Sequence, residues 1–319
     1  MAFKLGPAWL AFALGLLLAA GASAQGQSGN DTNPNKIPHR LNPGHPTFDA
    51  PTAGSTAAAV SPLKWNGGPV MIGVPNVHLI WYGNWAQTNG SDNASGQQIV
   101  RDFMYGVGGS NHLMINQPYT GSNGQVSGLI GSTFEGAAGY SKGSRLRDAD
   151  ISTIVANYIS TTGRNDANAV YFVLTSSDVA ETSGFCSKYC GWHTSGNIAG
   201  NNIKYSFVGN ANRCLSSCAA QTVGPNGNAG VDGMLSVLAH ELEETLTDPN
   251  PRSGWTDSAG AENADKCAWT FGSVQAQAAN GAWYNLTLPK TGGGTRNYLI
   301  QRNMDTLSKC YIDYVNKIQ

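Results

Sequence analysis

Ala169-Val170-Tyr171-Phe172-Val173-Leu174 is the strongest strand signal in the chain. The run is continuous rather than alternating, as expected when both faces of a sheet are covered. Strand and helix signals alternate around it. Val77–Tyr82 reads as a buried strand ending at Gly83, Gln97–Tyr105 as a short helix, and Val126–Phe134 as a further strand. Asp148–Ser160 is helical, with Ile151, Ile154, Val155 and Ile159 at helical spacing. Ile203–Val208 is another strand, and Asp232–Leu246 is the most regular helix. This order predicts an α/β fold, a mixed sheet with helices packed on it.

Composition narrows the function classes. Only 12% of the residues are charged and the formal net charge is −1, so there is no basic footprint for nucleic acid. No long apolar run follows the N-terminus, which excludes a multi-span membrane protein. Hydrophobic residues make up 41%, enough for a real core rather than whole-chain disorder.

The first 24 residues read as a signal peptide. Lys4 is their one charge, Ala8 to Ala20 is apolar, and Ala22-Ser23-Ala24 fits the small-residue cleavage rule. A single membrane anchor is the competing reading, against which the apolar run is short. The mature protein is therefore expected to be extracellular, in the apoplast or cell wall if its source is walled. Residues 25–60, rich in Gly, Pro, Asn, Ser and Ala, read as a flexible leader in which His39 and His45 are solvated. Residues 61–319 have the composition of one folded domain.

Secretion sets the reading of Cys186, Cys190, Cys214, Cys218, Cys267 and Cys310 as disulfides. The preferred pairing joins Cys186 to Cys190, Cys214 to Cys218 and Cys267 to Cys310. A four-Cys zinc site is the alternative, because two pairs lie at zinc-ribbon spacing. Sequons at Asn30, Asn89, Asn93 and Asn285 would make a glycoprotein in a eukaryotic host.

The helix Val231–Leu246 carries the chemistry. Val231, Met234, Leu235, Leu238, Ala239, Leu242 and Leu246 form one apolar stripe, and His240 and Glu244 share the opposite side one turn apart. A His and a Glu at i and i+4 can ligate one metal. Glu241 then stands where the general base stands in His-Glu-x-x-His zinc enzymes. Glu262, 18 residues after Glu244, is the expected third ligand, since a distant Glu completes such a helix in one large zinc-peptidase group. Three ligands plus water give the open coordination that catalysis needs. His193, Asp248 and Asp265 are expected either to hold the ligands in place or to serve as ligands themselves, and Asp257 to hold a ligand in place.

A plainer reading makes His240, Glu243 and Glu244 a solvated helix face. Calcium is the alternative ion in so acidic a site. Scarcity argues for a metal: in a charge-poor chain, four acids and a histidine fall within the nine residues His240–Asp248. Ser176 and Ser177 lack the Gly-x-Ser-x-Gly surroundings of a serine nucleophile. Trp65, Trp85, Trp192, Trp255 and Trp283 could stack on sugars if exposed.

Several segments in order carry a resemblance. They are Gly67-Gly68-Pro69-Val70, Leu79-Ile80-Trp81-Tyr82-Gly83, Val173-Leu174-Thr175-Ser176-Ser177-Asp178-Val179 and Gly184-Phe185-Cys186 with Cys190-Gly191 and His193. Val208-Gly209-Asn210, Cys214, Cys218 and Val231-Asp232-Gly233-Met234 follow. From Gly67 to the C-terminus the chain resembles the EXORDIUM-like, or phosphate-induced protein 1, family of plants. The resemblance implies a secreted cell-wall or apoplastic protein linked to growth and cell expansion, with no established enzymatic activity. The chain departs from the usual plant pattern in carrying His-Glu-x-x-Glu after Asp232-Gly233-Met234, where it looks more like microbial or early-diverging relatives. That departure weakens transfer of a growth role and favours a metal site. Two functions are thus in view: a zinc-dependent peptidase-like hydrolase, or a non-catalytic protein binding wall polymer, an extracellular protein or a receptor.

Overall fold

The computed structural model describes residues 36–40 and 61–319. The expected signal peptide, most of the expected leader, His45 and the sequon at Asn30 lie outside them. Six strands make the central sheet: β1 (Ile37–Arg40), β2 (Asn76–Tyr82), β3 (Thr133–Gly139), β4 (Ala169–Thr175), β5 (Tyr189–Ile198) and β6 (Asn201–Gly209). Their spatial order is β1-β5-β6-β4-β2-β3. β6, β4, β2 and β3 run parallel, while β1 and β5 are antiparallel to their neighbours. The sheet is mixed, as the alternating elements predict.

Three helices complete the core: α1 (Ala94–Val107), α2 (Asp148–Thr162) and α3 (Ala229–Thr247). Every residue of β4 is buried, which is why its sequence shows no alternation. α3 lies against β5 and β6, with α1 beside it. Its first turn is capped by Asn228, whose side-chain oxygen accepts the Val231 amide at 3.1 Å. From Gly230 to Thr247 the helix is buried all round, so its polar side is no solvated face. No helix among the described residues is long and apolar enough to cross a membrane.

Three expectations are corrected. The strand expected at Val126–Phe134 begins only at Thr133; Gly128, at φ +71°, turns the preceding residues into a loop. Residues 37–40 form a strand at the sheet edge, and His39 is fully buried rather than solvated. Cys186 bonds Cys214 and Cys190 bonds Cys218, not their near neighbours; Cys267–Cys310 forms as expected. Cys186 stands in the turn before β5, where its amide donates to the Tyr189 carbonyl at 3.0 Å, and Cys190 lies in β5; the turn Leu215–Cys218 packs beside both and brings Cys214 and Cys218 to them. The parallel bridges instead tie the start of β5 to the helical turn Leu215–Cys218. With all six cysteines paired, no four-Cys zinc site remains.

Candidate metal centre

Three parts of the chain converge behind β5. α3 supplies His240, Glu241 and Glu244, β5 supplies His193, and the loop after α3 supplies Glu262 and Asp265. The first five are fully buried, and Asp265 is 18% exposed. Gly191 lets helix and strand approach this closely, because a Cβ there would lie 2.7 Å from Val237 Cγ1 and 3.2 Å from Glu241 Oε1.

Glu244 faces two groups at once. Its Oε1 lies 2.9 Å from His240 Nε2, which lies 3.7 Å from Asp265 Oδ1. Its Oε2 lies 3.4 Å from His193 Nδ1, which also meets Glu241 Oε2 at 3.1 Å. Ligand atoms of His240, Glu244 and Asp265 lie within 4.8 Å of one another, and so do those of His193, Glu241 and Glu244. Glu262 meets the far side of the His193 ring, Oε2 to Nε2 at 3.4 Å. Asp265, rather than Glu262, therefore shares a close group with His240 and Glu244.

Backbone and side-chain contacts hold these groups in place. The Asp265 amide donates to Glu244 Oε1 at 3.1 Å, and the Glu262 amide to Asp265 Oδ2 at 3.2 Å. The Gln301 side-chain nitrogen lies 3.1 Å from His240 Nδ1 and 2.8 Å from His39 Nε2. Asp248 accepts the amides of Arg252, Ser253 and Gly254, fixing the turn after α3, and lies against Glu262. Asp257 pairs with Lys266 and accepts two loop amides instead. Glu243 forms a separate buried pair with His112, 3.0 Å away.

The electrostatics show a cluster short of positive charge. Burial pushes the Glu241 carboxyl up to about 8, against the pull of His193. Burial, reinforced by the Glu244, Asp248 and Asp265 charges, pushes Glu262 well above the carboxylate range. Burial pushes His240 down to about 3. At His193 burial acts downward too, but hydrogen bonding and attraction from Glu241 and Glu244 prevail and hold it up at about 10.

The donor set fits a divalent ion. His240 Nε2 and Glu241 Oε1 are buried without a hydrogen-bond partner, while Glu244 Oε2 and His193 Nε2 meet charged groups only at 3.4 Å. Leaving one such group unpaired costs about 1–3 kcal/mol. His240 Nε2 and Glu244 Oε1 stand 2.9 Å apart, close enough to serve one ion together. Mixed imidazole and carboxylate donors suit zinc better than calcium, which takes oxygen.

Sequence reading missed His39 and Gln301. Nothing in the leader's composition distinguishes His39, and Gln301 lies outside any motif. Of the tryptophans, Trp85 and Trp192 are buried and cannot be sugar platforms, whereas Trp65 is 45% exposed.

Residues 63–311 match the profile of the family described as "Phosphate-induced protein 1 conserved region". Protein EXORDIUM-like 3 of Arabidopsis thaliana is 30% identical over 306 residues, covering 83% of this chain and 86% of the relative. Protein PHOSPHATE-INDUCED 1 of Nicotiana tabacum is 27% identical over 280 residues, covering 75% and 83%. Protein EXORDIUM of Arabidopsis thaliana is 26% identical over 272 residues, covering 74% and 81%. No solved structure gives a significant match.

Proposed function

This chain belongs to the phosphate-induced protein 1, or EXORDIUM-like, family, and on that footing we propose that it is a secreted, zinc-dependent, peptidase-like hydrolase. The observation that carries the reading is the convergence of buried imidazole and carboxylate atoms on Glu244. The N-terminal signal pattern and the three disulfides support export.

His240 and Glu244 would hold the ion, with Asp265 in the third place that spacing gives to Glu262. Bound there, zinc would supply Lewis acidity and an acidified water. Glu241 is the base: it follows His240 on α3, and its carboxylate stands beside the ligand group, with Oε2 3.1 Å from His193 Nδ1. His193, held protonated between Glu241 and Glu244, presents positive charge to a developing oxyanion. Glu262 balances the other side of that ring.

Complete burial of His240, Glu241 and Glu244 supports a second reading. In it the ion is structural, and the protein acts in the extracellular space or wall by binding a polymer or receptor. Zinc-loaded protein incubated with a mixed peptide library, beside Glu241→Gln, separates the two. The first reading expects cleavage products that the variant loses; no cleavage by either protein supports the second.

A further inference from the structure

β1, ahead of the region that matches the family, brings its residues onto the cluster. It pairs antiparallel along the edge of β5, with Ile37 opposite His193, Pro38 opposite Trp192 and His39 opposite Gly191. Pro38 offers no amide hydrogen, as suits a strand at a sheet edge. Main-chain pairing of this kind accepts any extended polypeptide, and side-chain sockets then decide which one binds.

Two sockets receive β1. The His39 ring is fully buried edge-on to His240, with centroids 4.0 Å apart, and lies 5.0 Å from Trp269. Lys36, three residues earlier, enters an acidic socket. Its Nζ lies 3.0 Å from Asp148 Oδ1 and 3.1 Å from the Tyr189 hydroxyl, and 4.4 Å above the Tyr189 ring. Glu181, Asp148 and Ser183 line that socket and are buried; Ser183 Oγ hydrogen-bonds both carboxylates. Two buried carboxylates in contact through one hydroxyl form a site for a cation.

We propose that the β5 edge with these two sockets is a polypeptide-binding cleft, and that residues 36–40 are its resident, self-inhibiting occupant. The cognate ligand is an extended segment of another polypeptide, antiparallel to β5, with a cationic side chain three residues before an imidazole. This deepens the peptidase-like reading by naming its substrate class, and rests on that reading only for what happens after binding. Uptake itself needs no metal.

The test uses the full chain and a fluorescent peptide of residues 34–42. Lys36→Glu/His39→Ala protein should bind the peptide at least ~10-fold more tightly than the parent, whose tethered segment competes at high effective concentration. The same peptide with both replacements should not bind. Equal binding by parent and variant overturns the proposal, as does no binding by a variant that keeps the parent's near-ultraviolet circular dichroism. The milder Lys36→Gln/His39→Gln protein guards against misfolding. If neither variant folds, β1 belongs to the core and the proposal is overturned. Titrations with zinc and with chelator must agree, so a failed metal site and a failed peptide cleft give different results.

Discussion

Gly191 sets the distance of Glu241 from the sheet: a Cβ on the glycine would stand 3.2 Å from the carboxylate's Oε1 and 2.7 Å from Val237 Cγ1. The second contact has no room to relax, because Val237 and Gly191 belong to packed elements. Gly191→Ala should therefore cost about 1–3 kcal/mol. Chemical denaturation measures that cost. The variant should also lose zinc affinity, whereas Gly196→Ala, whose Cβ would have its nearest neighbour at 3.7 Å, should retain it.

Glu244→Gln separates a metal ligand from a merely structural acid. With chelator, losing the buried carboxylate that accepts the Asp265 amide and faces His193 should cost about 1–3 kcal/mol. With zinc at a hundred times its dissociation constant, the parent should gain about 2.7 kcal/mol and the variant should gain little. Parallel melting curves in chelator and zinc give this comparison. Equal responses to zinc would remove Glu244 from the site.

Glu181 gives a pH dependence away from the proposed ligands. Burial is the main cause that raises its carboxyl to about 7, with further raising from Asp148. The native state thus binds more proton than the unfolded chain between the ordinary Glu value and about 7. Stability from this group is greatest below that window and falls as pH rises through it. Glu181→Gln should remove this part of the decline. The stability of the variant relative to the parent should therefore rise from pH 4.5 to pH 7 and then level off. A variant whose stability relative to the parent falls over that window contradicts the assignment.

Disulfide mapping should find Cys186 linked to Cys214 and Cys190 to Cys218 in non-reduced digests. Each closes a loop of sequence separation 28, so losing Cys190–Cys218 by a double Ser replacement should cost about 3 kcal/mol. The loss should be largest around β5, where hydrogen exchange would quicken at Tyr189–His193.

The elements with strong local patterns are the ones that sequence reading locates. β2, β4, β6, α2 and α3 bury long apolar runs or regular stripes, and their expected spans fall within the observed ones. β5 escapes because Gly191, Ser195, Gly196 and Asn197 dilute its strand signal, although it carries His193. The His240-Glu241-x-x-Glu244 pattern shows which side chains share a helix face. It does not show that a loop and a strand close over that face and make it interior. Which of Glu262 and Asp265 comes within 4.8 Å of His240 and Glu244 depends on a turn fixed by Asp248 and backbone amides, which spacing cannot supply. β1 is hidden for the opposite reason: its pairing uses main-chain groups, and two of its residues, Lys36 and His39, find sockets built by distant segments.

The most direct test is the metal content of the mature protein by mass spectrometry, after zinc loading and removal of free ion. The account predicts one tightly held zinc per chain in the parent and none in His240→Ala/Glu244→Ala protein that retains the parent's circular dichroism. No zinc in the parent, or the same amount in both, would contradict it.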